Sequence, residues 1–269
     1  MSDEPTATGI AELLVAARRA GRSLGGFPGA APAGMTEAYR IQDAAIALWS
    51  DTLVGWKIGY IAPERRTPGE PDRLVGPIWS RGCHPSDGPP VEAGVFADGF
   101  AAVEAEFLVR LAQDLPDHHG AWTAAEVAEL EQQLLVGIEV ASSPIPDINA
   151  LGPTVIAADF GNNNGLLIGP ELGAAAGIEL VCSIDGEPVG EGAAANLPGG
   201  LHHGLATALN VLADRGHSVR AGTVFATGAI TGIHPIRPGQ HCRVDVRDRS
   251  SGDEGPSLEL WTVDLDQPS

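Results

Sequence analysis

Hydrophobic positions along this chain recur with two periods, one helical and one alternating, and the change from one to the other near residue 53 divides it. Residues 9 to 22 are rich in Ala and Leu and carry Arg18, Arg19 and Arg22 toward their end, where cations meet the negative pole of a helix. A Gly/Pro/Ala stretch over 25–34 reads as a linker. Thr36 is the expected cap of a second helix, whose positions Ile41, Ala44, Ala45, Leu48 and Trp49 share one apolar face. From Leu53 onward, short runs of Val, Ile, Leu and Phe separated by Gly, Pro and Asp predict strands. Residues 178–190 form a predicted hairpin turning at Asp185-Gly186. Two helices interrupt the strands: one from Thr123, with Glu126 completing a capping box, to about Leu134, and one from Leu201 to Arg215, closed by Gly216. The last strands are expected at 222–228, 241–247 and 257–264. The pattern as a whole predicts an α+β fold, with a helical cover over 1–52 and a mainly β domain over 53–269.

With 43% hydrophobic side chains, 269 residues suffice for one sizeable core. Sixteen basic residues against thirty-five acidic ones give a formal charge of −19, which argues against nucleic acid and anionic membrane surfaces as partners. No apolar run is long enough for a membrane span, and the acidic start does not look like a signal peptide, so the expected location is the cytoplasm. Cys83, Cys182 and Cys242 contain no C-x-x-C pair and read as free buried thiols. Fifteen of the sixteen basic residues are arginine, and the sole lysine is Lys57. A desolvated lysine can release its proton where arginine cannot, although compositional chance explains a single lysine equally well.

Chemistry enters with the acids. In 103–111 the alternation places Val103, Ala105, Phe107, Val109 and Leu111 on one face and projects Glu104 and Glu106 together from the other. On its own such a pair is ordinarily a solvated outer face. In 135–141, Glu139 lies between the small residues Gly137 and Ala141 in a segment that otherwise looks buried, where an isolated carboxylate is costly and needs a partner. Should the two strands approach each other, the three acids form an oxygen-only pocket suited to Mg²⁺ or Mn²⁺ and not to zinc. The pairs His118-His119 and His202-His203 lack metal-ligand spacing and read as solvated or capping residues, with His202 a candidate for a pocket mouth. No phosphate-binding loop occurs, so no nucleotide cofactor is implied.

Taken in order, YRIQ at 39–42, GWKIG at 55–59, VEAE at 103–106, GIEV at 137–140, Ala158-Asp159, Thr227-Gly228 and Pro238-Gly239 resemble the 2-keto-4-pentenoate hydratase and 4-oxalocrotonate decarboxylase family of the fumarylacetoacetate hydrolase superfamily. The resemblance implies a mixed β-roll with flanking helices and a homo-oligomer. It also implies Mg²⁺ or Mn²⁺ held by Glu104, Glu106 and Glu139, with Lys57 as the catalytic lysine and a small-molecule 2-oxo or 2-hydroxydienoic acid as substrate. Thr227 is then a hydrogen-bond donor to the substrate carboxylate, and Asp159 binds substrate or holds the asparagine run that follows it. Two segments depart from the family pattern. Val140-Ala141-Ser142-Ser143-Pro144 is found where the family has Asp-Ser-Arg after the third glutamate, so the family arginine is absent, and Asn162 stands roughly where it has a serine; both changes fall on the substrate side, where Ser142 and Asn162 are expected to bind substrate.

The expected chemistry follows from these residue types. A 2-oxo acid offers its carboxylate and carbonyl as a chelate, so a hard cation stabilises the enolate. A lysine with a lowered pKa can then pass a proton. Hydration is the first expectation. Decarboxylation of a 2-oxo dicarboxylic acid of the 4-oxalocrotonate type and C–C hydrolysis are the alternatives, and a decayed homologue acting as a binding partner subunit is the non-enzymatic one.

Overall fold

The computed structural model describes residues 6–87, 90–116, 120–249 and 252–266, so the expectation for His118 and His119 lies outside the described residues. The chain opens with helices α1 (Ala7–Ala20) and α2 (Met35–Leu48). Thr6 caps α1 by accepting from the Gly9 N–H at 3.2 Å, and Gly21 at φ 65° closes it in the left-handed conformation. The cap of α2 is Gly34 and not Thr36, so that helix starts two residues earlier than expected.

Strands β1 (Leu53–Tyr60), β2 (Arg73–Trp79), β3 (Cys83–Pro85) and β4 (Val91–Val95) precede β5 (Phe100–Leu111). The capping box at Thr123 is present, but its helix α3 (Ala124–Ala128) stops well short of Leu134. Residues expected to prolong it belong instead to β6 (Gln132–Ser143), which pairs with β5 from Phe100 opposite Ser143 to Leu111 opposite Gln132. Long-range pairing of the backbone here overrides local helix propensity. Two short helices that the sequence did not announce, α4 (Ile148–Leu151) and α5 (Pro153–Ala158), lead into β7 (Asn163–Leu172). The hairpin of β8 (Ile178–Ile184) and β9 (Glu187–Ala193) turns at Asp185 and Gly186 with φ of 52° and 84°, the two left-handed residues this tight turn needs. Helix α6 (Leu201–Asp214) is followed by β10 (Val224–Ala226), β11 (His234–Pro235), β12 (His241–Asp248) and β13 (Glu254–Asp264).

Among the described residues these strands form two sheets, one ordered β2-β1-β10-β5-β6-β7-β3 with β11 on β5, the other β4-β13-β12-β8-β9. The fold is α+β. Val103, Ala105 and Phe107 of β5 join Val136, Ile138 and Val140 of β6 in a core shared with Leu180, Val244 and Leu258 of the second sheet. The larger sheet curls until β2 meets β7, so the other face of β5 and β6 turns inward. There Leu108, Leu135, Leu166 and Ile78 form a small apolar floor. Gly76 makes the tight curl possible: a Cβ there would stand 2.1 Å from the Phe160 carbonyl oxygen.

The helices cover the outside of β1 and β2, where Leu14, Ala38 and Ile41 share one cluster with Trp56, Ile58, Val75 and Leu205. Tyr39 and Gln42 show why the YRIQ segment matters. The Tyr39 hydroxyl accepts from the Val75 N–H at 3.1 Å, and the fully buried Gln42 amide donates to the carbonyls of Val75 at 2.9 Å and Ala157 at 2.6 Å. Together they satisfy backbone groups of β2 and α5 that water does not reach. Beside them, Asp43 accepts from His217 at 2.9 Å and from Arg215, tying α2 to the end of α6.

Two outcomes follow for stability. Gln42→Leu leaves two buried carbonyls without donors and is expected to lower the urea unfolding free energy by about 2–4 kcal/mol; a loss below about 1 kcal/mol would contradict that role. Burial raises the Asp43 carboxyl, but hydrogen bonds and charge from His217 and Arg215 outweigh it and hold it below its ordinary value. The fold therefore favours the ionised form, so the stabilisation is full above the unfolded pKa of about 3.9 and is lost as pH falls through the lower folded value. The urea-midpoint gap between wild type and Asp43→Asn is accordingly expected at neutral pH and closes as pH drops below about 4.

Candidate active site

Strand register assembles the acids. Glu104 lies directly opposite Glu139 across the β5–β6 pair, and Glu106 follows on the same face opposite Gly137. One oxygen from each of the three carboxylates lies within 4.8 Å of the others. Lys57 reaches them from β1, two strands away in the curled sheet, with its Nζ 3.5 Å from Glu139 Oε1. Glu106 and Glu139 have no exposed surface, and Glu104 and Lys57 retain 4% each.

The turn between α5 and β7 supplies the neighbouring polar groups. Phe160, Gly161 and Asn162 are consecutive residues in the left-handed region, with φ of 55°, 64° and 59°. From this turn Asn162 Oδ1 accepts from Lys57 Nζ at 3.2 Å, and Asn163 Nδ2 donates to Glu139 Oε1 at 2.8 Å. The Gly228 N–H donates to Glu106 Oε2 at 2.9 Å. Glu106 Oε1 and Glu139 Oε2 are buried and have no hydrogen-bond partner among the described residues.

Burial, reinforced by Glu139, raises the Glu104 carboxyl against the pull of Lys57. Burial and both neighbouring acids raise Glu106 further. The lysine departs from expectation. Burial alone lowers an ammonium, but Glu139, Glu104 and Glu106 outweigh that effect and hold Lys57 above its ordinary value instead of below it. Ionised together, three acids against one ammonium would leave a buried negative excess, which is why Glu104 and Glu106 hold their protons above the ordinary carboxylate range. Two orphaned oxygens in an all-oxygen donor set fit a hard divalent cation, which would satisfy both the charge and the unpaired atoms.

Lys57 and Glu104 open onto a cavity of about 320 Å³ whose wall includes Asn162, Thr227, Tyr60 and Arg73. Thr227 Oγ1 donates to the Phe107 carbonyl at 2.8 Å, so its proton is engaged there and it is not placed as the free donor to a substrate carboxylate that the resemblance implies. Asp159 and Ser142 are not brought to this wall. Asp159 is clasped by Arg18 at 2.7 and 2.8 Å and accepts from Ser143 Oγ at 2.6 Å. Ser142 Oγ accepts from the Phe96 N–H at 3.0 Å and donates to the Phe100 carbonyl at 2.7 Å. His202 lines a different cavity with Gln132 and Leu172. Trp56 packs in the helix-side core, on the face of β1 away from Lys57.

Three contributors had little signal in the sequence. Asn163 is one of three adjacent asparagines, Arg18 looks like an ordinary helix-terminal cation, and nothing marks Arg73, whose guanidinium pairs with Asp72 at 2.9 Å over the Tyr60 ring.

No family model matches the chain. It is 28% identical over 153 residues to a 4-oxalocrotonate decarboxylase from Pseudomonas sp., a match spanning 55% of this chain and 58% of that relative. The fold is similar to that of 4-oxalocrotonate decarboxylase from Pseudomonas putida G7, solved with magnesium and adipate, at a TM-score of 0.76 and 21% identity over 96% of this chain and 97% of the other. A putative fumarylacetoacetate isomerase/hydrolase from Oleispira antarctica gives a TM-score of 0.56 and 15% identity, covering 78% of this chain and 94% of its own. The fold is thus the one shared by these solved structures, and the partial sequence match is to a decarboxylase of the same name as the first of them.

Proposed function

We propose that the chain is a divalent-metal-dependent lyase, a hydratase acting on a 2-hydroxydienoic or 2-oxo acid in the cytoplasm. The observation that carries this reading is the trio of buried carboxylates, two of whose oxygens lack partners, facing the only lysine of the chain at the end of one cavity. Glu104, Glu106 and Glu139 would hold Mg²⁺ or Mn²⁺. When bound there, the ion supplies a Lewis acid for the substrate's oxygens and offsets the repulsion between an acidic site and an acidic substrate.

The remaining work falls to the chain's own groups. Asn162 holds the Lys57 ammonium by its Oδ1, leaving the other N–H bonds of Nζ to hold or deliver a proton to substrate. Asn162 and Thr227 on the wall orient the substrate's polar end, while Ile156, Leu197 and Ile233 line the cavity and restrict water around its carbon chain. Asp159 and Ser142 act from behind that wall by fixing the backbone next to it.

Decarboxylation of a 2-oxo dicarboxylic acid is the second reading. Arg73 favours it, since a guanidinium in the same lining as Lys57 offers a partner for a second, distal carboxylate. The names of the sequence relative and of the structural neighbour point the same way.

Calorimetric titration of the purified chain with Mg²⁺ or Mn²⁺ is expected to show binding that Glu106→Gln abolishes. Lys57→Met should keep the fold and the bound ion yet lose turnover by about 10²–10⁴-fold. A wild-type chain that binds neither ion, or a Lys57→Met variant at full activity, would reject the proposal. To separate the two readings, ¹³C NMR of products from a 2-hydroxydienoate and from a 2-oxo dicarboxylate should give a hydroxylated acid for a hydratase, whereas CO₂ released from the dicarboxylate alone would assign the decarboxylase.

A further inference from the structure

Arg19 on α1 and Arg22 just beyond its end are exposed, whereas Arg18 keeps only 7% of its surface. Its guanidinium spends every nitrogen on one region of the chain. Nε and one terminal nitrogen grip the Asp159 carboxylate at 2.7 and 2.8 Å, and that same nitrogen reaches the carbonyls of Ser142 and Asp159, both at 3.2 Å. The other terminal nitrogen donates to the Asn163 carbonyl and to Asn164 Oδ1, both at 3.1 Å. The group also lies against the rings of Phe160 and Phe96, at 5.3 and 5.9 Å from their centres. A planar, permanently charged fork is suited to holding several acceptors in fixed relation, which the point charge of lysine is not.

What it holds is the turn that carries Asn162 and Asn163. Phe160 and Asn162 are non-glycine residues at positive φ, a conformation that L side chains rarely adopt and that persists only where the surroundings over-determine it. The Asn162 N–H closes this turn onto the Asp159 carbonyl at 2.8 Å, and that carbonyl is one of Arg18's acceptors. Gly161 lies flat against the Lys57 stem, where a Cβ would come within 2.8 Å of the lysine Cδ. The turn therefore bears on both ends of the site, Asn162 on Lys57 and Asn163 on Glu139.

We propose that Arg18 is a positioning residue: clamped on Asp159, it keeps residues 160–163 in the left-handed turn that seats Lys57 and aims Glu139. This rests on the reading of Lys57 and Glu139 as working groups. An arginine that only fastened α1 to the roll would affect stability and nothing else in the folded protein.

The test compares Arg18→Lys, Arg18→Met and Asp159→Asn with Leu14→Ala, which loosens the buried face of the same helix and removes none of the hydrogen bonds that hold the turn. Hydrogen exchange of the 159–164 segment, calorimetry with Mg²⁺ and the split between kcat and KM are measured on the full chain under conditions where each variant is folded. Expected for the Arg18 and Asp159 variants are selective loss of protection over 159–164, Mg²⁺ affinity lower by about 10–100-fold and a fall in kcat of similar size with KM little changed. Leu14→Ala should lower stability but leave all three readouts of the folded protein as in wild type. Unchanged exchange of 159–164 in Arg18→Lys and Arg18→Met overturns the proposal whatever the metal data show. If Arg18→Met does not fold, unchanged exchange in Asp159→Asn and Arg18→Lys decides in the same way. A wild type that binds no Mg²⁺ while the Arg18 variants lose protection would sink the lyase reading and leave the clamp standing.

Discussion

Shutting three carboxylates and one ammonium inside a dry roll of sheet is the constraint around which the molecule is organised. The charges do not balance, and each buried carboxylate oxygen without a donor costs free energy that the apolar clusters elsewhere must offset. The fold meets this in two ways. It brings backbone and amide donors to the acids, through Gly228 on Glu106 and Asn163 on Glu139, and it leaves two oxygens free to coordinate. A site that was fully satisfied from within would have no reason to take a cation, so the incompleteness is part of what the residues do.

The part of this arrangement that was legible in the sequence is the part with period two. Glu104, Glu106 and Glu139 could be assigned to strand faces because their apolar neighbours alternate, and Lys57 stood out by being alone among arginines. The helix expected to run to Leu134 failed for a physical reason: residues 132–134 carry enough helix propensity, but their backbone pairs with a strand whose position no local signal reveals. The same limit left open whether Asp159 faces the cavity or holds the asparagine run, and hid the surroundings of Ser142. Both are short polar residues next to candidate site segments, and only the docking of a helix from the other end of the chain shows that their oxygens are engaged away from the cavity. The direction of the Lys57 shift was hidden on similar grounds. Burial could be guessed from GWKIG, but the sign of the shift depends on how many carboxylates face the ammonium.

Arg73 brings a second basic group to the cavity that Lys57 and Glu104 also line. Held by Asp72 and the Pro198 carbonyl, it shares that lining with Tyr60 and Leu197. A guanidinium already paired in this way retains donor capacity without being a bare charge, which suits recognition of a carboxylate better than tight capture of it. The region that departs most from the family pattern, 142–144 and 160–164, is where Arg18 enters, so an unusual loop and an unusual helix residue belong to a single local solution.

Gly76 ties the seat of the lysine to the closing of the roll. Its bare Cα lies where the Phe160 carbonyl descends from the turn onto β2, and the Lys57 stem passes the next residue, Gly161, at the same spot. Strand, turn and lysine thus interlock at one point where no component has room to arrive after the others have been widened by a side chain. A fragment lacking either partner has nowhere to rest the ammonium arm, so the seat of Lys57 is a property of the closed roll and of no single strand.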